Sequence, residues 1–149
     1  MDYRGIASPL EVARSLQAAN LWAEAEDKKR VGGVDRTELT RADTLVLWTM
    51  PPSREELKAA LEAVRPEKLI VFASDPGMDD LKAFQARLAG LVKFVLNKKD
   101  GETSYTELAA ATAQKVTAVR LGLEWLSKRG LVTVKIESGD WLVLTAGGP

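Results

Sequence analysis

The sequence predicts an α/β fold: a small β-α-β parallel-sheet subdomain, a Rossmann-like half, followed by a winged-helix-like subdomain. Three observations point there. Two short, nearly continuous apolar runs, Thr44-Leu45-Val46-Leu47-Trp48-Thr49 and Lys68-Leu69-Ile70-Val71-Phe72-Ala73, read as strands covered on both faces. One amphipathic segment separates them, and a strand-helix-strand unit of that kind takes a right-handed parallel crossover. The last third then runs helix, helix, helix and a two-stranded hairpin, the winged-helix order. The expected division is residues 1–77 and 78–149. With no internal repeat or low-complexity linker between them, the two halves are expected to pack together.

Serine punctuates the helix starts. Ser8-Pro9-Leu10-Glu11, Ser53-Arg54-Glu55-Glu56 and Ser104-Tyr105-Thr106-Glu107 each place a serine three residues before a glutamate. In such a capping box the serine oxygen takes the N3 amide and the glutamate returns to the N-cap amide. Pro9 stands at N1, where its missing N–H removes nothing. Helices are expected near residues 9–19, 54–64 and 105–111. Leu21 to Ala25 reads as an edge strand, and Lys28 to Thr40, with Gly32-Gly33, as a loop or hairpin turn. A longer helix over 79–98 carries Leu81, Phe84, Leu88, Leu91, Val92 and Val95 on one side and stops at Asp100-Gly101. The closing hairpin pairs Leu131–Glu137 with Trp141–Thr145 across a Ser138-Gly139 turn.

Composition excludes several function classes. Twenty-one basic and 21 acidic residues cancel, so no bulk field draws the chain to nucleic acid or an anionic membrane. No cysteine is present, which removes disulfides, thiolate nucleophiles and zinc-cysteine sites, and agrees with a cytoplasmic location. No apolar run approaches the roughly 20 residues of a membrane span. Histidine is absent too, so the commonest general base and metal ligand is missing, along with any Ser-His arrangement. The tightest acidic clusters, Glu24, Glu26, Asp27 and then Asp79, Asp80, read as solvated surface charge. No catalytic residue, metal ligand or cofactor is assigned to this chain.

The segment Glu102 to Val132 has the shape of a helix-turn-helix. On the wheel of a helix from about Ala113 to Arg129, Val116, Val119, Leu123 and Leu126 form the core stripe. The opposite face, which in a DNA reader enters the major groove, holds Gln114, Thr117, Ala118, Leu121 and Trp125. Gln114, Lys115, Thr117 and Arg120 are the candidate nucleic-acid contacts. Ala118, Leu121 and Trp125 instead make a second apolar stripe, and hiding Leu121 or Trp125 would each gain roughly 1.5–3 kcal/mol. That stripe packs against the α/β half or meets a partner; both readings stay open. The hairpin tip, Glu137-Ser138-Gly139-Asp140, puts two carboxylates where a DNA-binding wing wants lysine or arginine. Residues 78–149 hold ten basic and eight acidic side chains, a net of +2, too weak for an electrostatic footprint.

The turn Trp48-Thr49-Met50-Pro51-Pro52-Ser53 links a strand end to a helix start, where α/β proteins bind anions. Two prolines and no glycine make a poor phosphate cradle, so Pro51-Pro52 is expected to end the strand. A small-molecule-sensing role for this turn is the third option.

Several stretches together carry a family likeness. They are Asp2-Tyr3-Arg4-Gly5, Asp43-Thr44-Leu45-Val46-Leu47-Trp48-Thr49-Met50-Pro51-Pro52 with Glu55-Glu56-Leu57, Pro66-Glu67-Lys68-Leu69-Ile70-Val71, and the terminal winged-helix-like segment. In this order the chain resembles the C-terminal accessory region of RecJ-type single-stranded-DNA-specific exonucleases, over nearly its whole length. Family members are similar in having a DHH-type 5′→3′ nuclease core, dependent on Mn²⁺ or Mg²⁺, that serves recombination and repair. A chain without histidine contains neither the DHH motif nor the histidine of the associated domain. The resemblance therefore implies an accessory or interaction domain whose partners are the nuclease core or other DNA-repair proteins, with at most a weak DNA contact. The metal ions belong to the missing core. The alternative is a stand-alone winged-helix nucleic-acid-binding module.

Overall fold

The computed structural model describes residues 1–15 and 20–147. It divides into two compact units, Met1–Pro76 and Gly77–Pro149.

The first unit is a parallel three-stranded sheet ordered β1(Asn20–Trp22), β2(Thr44–Thr49), β3(Lys68–Ser74). Its two faces explain why β2 reads as a continuous apolar run. Val46 and Trp48 point into a cluster with Ala13, Leu21, Ile70 and Phe72. Leu45 and Leu47 point the other way, against Trp22, Ala60 and Val64. Residues one apart in a strand face opposite sides, so a strand buried on both needs every position apolar. Helix α3 (Arg54–Val64) covers the second face and connects β2 to β3. The sheet also takes single parallel bridges at both edges, Trp22 to Val34 and Val71 to Asp2.

Several expectations are corrected here. Helix α1 is described over Pro9–Ser15, and the expected continuation over 16–19 lies outside the described residues. Ser8 has a left-handed φ of 52°, not the extended backbone of an N-cap, and its carbonyl accepts from the Val12 amide. The edge strand ends at Trp22 rather than reaching Ala25, whose φ of 56° turns the chain away. The expected loop at 28–40 opens with a helix, α2 (Asp27–Val31), closed by Gly32 at φ 68°. A helix of five residues is too short to show a 3.6-residue period in the sequence. Behind it, Val34 pairs with the strand through Ala23 N–H to Val34 O (2.9 Å) and Val34 N–H to Leu21 O (2.8 Å).

The second unit contains α4 (Leu81–Lys98), β4 (Glu102–Ser104), α5 (Tyr105–Thr112), α6 (Val116–Lys128), β5 (Val132–Ser138) and β6 (Trp141–Ala146). Its antiparallel sheet has the order β4-β6-β5, one strand more than the expected hairpin. Three residues of β4 carry too little alternation to be seen as a strand. Phe84, Leu88 and Val92 of α4 meet Leu108 of α5, Val119, Leu123 and Leu126 of α6, and Val132, Leu142 and Leu144 of the sheet in one core. The hairpin loop is Gly139-Asp140, one residue later than expected, with φ 59° at the glycine.

Two of the three capping boxes form, but only by half. Ser53 Oγ accepts from Glu56 N–H (3.2 Å) and Ser104 Oγ from Glu107 N–H (3.0 Å). The glutamates turn elsewhere: Glu56 to Arg36, and Glu107 to Lys99 and Thr103. Helix α4 begins two residues later than expected because Asp80 is its N-cap, accepting from Lys82 and Ala83 amides.

Candidate functional site

The site follows from how α6 begins. Ala113 adopts a left-handed φ of 53° and ends α5, with its N–H bonded to the carbonyls of Ala109 and Ala110. The helix therefore starts at Val116 with Lys115 as N-cap, three residues later than the wheel assumed. Gln114 consequently leaves the helical face. Its Nε2 donates to Met78 O at 2.8 Å and approaches Asp79 Oδ1 at 3.5 Å, stitching the turn to the segment before α4. Of the four candidate nucleic-acid contacts, only Lys115 and Thr117 stand exposed without a side-chain partner in the described residues. The structure does not bring the four together as one basic surface.

Arg120 is engaged as well. Its Nη1 lies 3.0 Å from Glu137 Oε1, and its guanidinium carbon sits 4.1 Å above the Tyr105 ring. Tyr105 OH donates to the same Glu137 oxygen at 2.8 Å. Burial, the hydrogen bond to Glu137 and the Glu137 charge together push the Tyr105 phenol above its ordinary range. The second carboxylate at the hairpin tip also has an internal partner: Asp140 Oδ1 accepts from Thr106 N–H at 3.1 Å, at the first turn of α5. Of the two acids at the hairpin tip, Glu137 is paired with a cation and Asp140 is held by a backbone N–H. They are not free charges aimed at a phosphate backbone, as the sequence suggested.

Ala118, Leu121 and Trp125 lie on the side of α6 that faces α4. Phe84 and Gly122 form the floor of a groove of ≈ 480 Å³, with Leu81 and Gln85 on one wall and Leu121 and Trp125 on the other. Gly122 lets α4 and α6 approach closely beneath the groove: a Cβ there would stand 2.4 Å from Leu88 Cδ2. Ala118 and Trp125 are half-buried against the core, and Arg129 stacks on the Trp125 ring at 4.9 Å. Leu121 is 66% exposed, as is Leu81. A leucine held that far into water on both walls of a groove is apolar surface that no residue of this unit covers.

The first unit contains a buried polar network at the C-terminal end of its sheet. Glu24 is 1% exposed, so it is not the solvated surface charge expected from sequence. Arg36 clasps it with Nε to Oε2 at 2.8 Å and Nη2 to Oε1 at 2.5 Å, and Trp22 Nε1–H adds a bond at 3.0 Å. Arg36 Nη1 lies 3.3 Å from Glu56 Oε2, an ion-pair distance without hydrogen-bond alignment. Asp27 is also buried. It accepts from Thr49 Oγ (3.1 Å), which accepts in turn from Glu24 N–H (2.9 Å). The sequence offered no signal for this clustering, because the partners come from separate segments. The Met50-Pro51-Pro52 turn ends β2 and leads to the Ser53 cap.

Among the described residues no group of three or more His, Cys, Asp or Glu is arranged to hold a metal ion. No helix among them is long and apolar enough to cross a membrane. No family model matches the chain, and no curated protein or solved structure matches it either.

Proposed function

We propose that the chain is a non-catalytic accessory module of a RecJ-type single-stranded-DNA-specific exonuclease acting in recombination and repair. On this reading the second unit is winged-helix-like and docks on the nuclease core through the α4/α6 groove. One observation carries the proposal: Leu121 and Leu81 stand exposed on opposite walls of an apolar furrow floored by Phe84 and Gly122. Covering one such leucine gains roughly 1.5–3 kcal/mol, enough for two or three anchors to drive association. The same stripe leaves α6 without the polar residues of a base-reading helix. The family likeness of the strand-Pro-Pro-helix stretch names the partner.

The test is isothermal titration of the purified chain against a RecJ-type nuclease core, with Leu121→Glu beside the parent. Binding by the parent and its loss in Leu121→Glu, with the circular dichroism spectrum retained, is the expected result. Equal binding by both, or none by the parent, overturns the docking role. The chain alone is expected to leave single-stranded DNA intact with Mn²⁺ or Mg²⁺, and processive degradation would refute the non-catalytic assignment.

A second reading, a winged-helix nucleic-acid-binding module, is favoured by the exposed Lys115 and Thr117 at the start of α6. It predicts DNA binding that falls steeply with salt and weakens in Lys115→Ala.

A further inference from the structure

The apolar groove between α4 and α6 is charged at its two ends, and the signs are opposite. Asp79 stands where the groove meets the start of α6, with Gln114 Nε2 at 3.5 Å from its Oδ1. Arg129 stands past the other end of α6, stacked at 4.9 Å on the Trp125 ring that lines the wall. Both side chains are exposed, and among the described residues neither belongs to an ion pair. The 13 residues of α6 separate them by about 20 Å. Between the charges, Leu121 and Leu81 project from opposite walls over a floor of Phe84 and Gly122.

A surface of this kind is complementary to itself. A two-fold axis perpendicular to the groove, passing beside Leu121, exchanges its ends. That operation lays α6 antiparallel on the α6 of a second copy and sets each Asp79 opposite the other copy's Arg129. It also brings the Leu121 ridge of each copy over the furrow of the other. An isologous contact requires such a match, because every residue meets what its own symmetry mate presents. A groove with the same charge at both ends would repel its copy in this arrangement.

We infer that a second copy of this chain occupies the groove, in a two-fold dimer anchored by Leu121 and Leu81 and registered by two Asp79–Arg129 pairs. Exposed ion pairs add little affinity, but like charges brought together exclude the wrong register. The contact is small, so the dimer belongs to the transient class. It covers the surface that the docking reading gives to the nuclease core, so the chain docks only as a monomer. That consequence, unlike the pairing itself, rests on the docking reading.

The experiment is sedimentation velocity of the full chain alone, from about 1 µM to about 1 mM, a range that spans transient association. The parent is expected to pass from monomer to dimer as concentration rises, and Leu121→Glu to stay monomeric. Asp79→Arg and Arg129→Asp each set like charges together at both ends, so each is expected to weaken association about tenfold or more. Mixed in equal amounts, these two variants face opposite charges across both ends, and dimerisation returns to the parent's level. Lys128→Glu changes the net charge as much as Arg129→Asp does, but off the groove, and is expected to leave association unchanged. A parent that is monomeric throughout overturns the pairing and leaves the docking reading untouched. Dimerisation that survives Leu121→Glu, or a mixture no tighter than its components with circular dichroism unchanged, also overturns the pairing. A parent that dimerises but gives no heat with the nuclease core upholds the pairing and removes the docking reading alone.

Discussion

Arg36 closes Nη2 and Nε of its guanidinium on Glu24, 2.5 and 2.8 Å away, at the end of the parallel sheet. Both side chains are nearly inaccessible to water. Removing Arg36 leaves Glu24 as an uncompensated buried charge, which costs about 3–5 kcal/mol. Arg36→Ala is expected to destabilise the first unit by that amount, and Glu24→Ala by less, because Arg36 Nη1 keeps Glu56 Oε2 at 3.3 Å. Hydrogen exchange of β1 and β2 amides, read separately from those of the second unit, measures it. Loss of less than 1 kcal/mol would show that water reaches the pair.

Asp27 and Asp35 are expected to bend the stability-pH curve in opposite directions. Burial raises the Asp27 carboxyl above 3.8, against the lowering effects of the Thr49 hydrogen bond and the Arg30 charge. The folded state therefore holds this proton more tightly than the unfolded chain. Its contribution is present below 3.8 and is lost as the pH rises through the folded value. Asp27→Asn should stabilise the first unit relative to the parent at neutral pH, and the gap should close in acid. For Asp35, burial alone would raise the carboxyl, but hydrogen bonds from Thr37 and Lys28 outweigh it and lower it below 3.8. Its contribution is present above 3.8 and is lost as the pH falls. Asp35→Asn should destabilise at neutral pH. Urea midpoints across the acid range check both signs.

Gly122 tests the packing of α4 on α6. An added Cβ would meet Leu88 Cδ2 at 2.4 Å and Phe84 Cε2 at 3.1 Å. Helix propensity favours alanine by about 1 kcal/mol, but overpacking costs about 1–3 kcal/mol. The net expectation for Gly122→Ala is a loss of up to about 2 kcal/mol, seen as a lower thermal midpoint. A rise would mean that the leucine tip moves aside freely.

Gly101 and Gly139 separate backbone strain from steric conflict. Both have positive φ, 81° and 59°. A Cβ at Gly101 would also lie 2.1 Å from the Leu144 carbonyl oxygen, whereas Gly139 has nothing within 4 Å. Gly139→Ala is expected to cost about 1 kcal/mol from conformation alone. Gly101→Ala is expected to cost more, because it must displace sheet backbone that accepts no small adjustment. Equal losses by denaturant titration would refute the distinction.

Ser104 is the cap of α5 without the reciprocal bond of a full capping box, since Glu107 turns to Lys99 and Thr103. Ser104→Ala should therefore cost about 1 kcal/mol, and Glu107→Gln much less. A larger effect at Glu107 would reverse that ranking.

By itself the sequence determined the local order of this protein. Strands 44–49 and 68–74 were legible because burial on both faces demands unbroken apolar runs, and the intervening helix because its period and its serine cap agree. The long helix and the closing hairpin were legible for the same kind of reason. Tertiary structure decided what no local period encodes. It turned Glu24 and Asp27 from apparent surface charge into a buried network, because Arg36 and Thr49 arrive from elsewhere in the chain. It removed Gln114 from the face of α6, because one left-handed residue at Ala113 moved the helix start. It also tied Glu137 and Asp140 into α5 and α6, where sequence placed them at a bare tip. Periodicity reports which side of an element is apolar. Which charge meets which depends on pairings across long separations, and only the folded chain makes them.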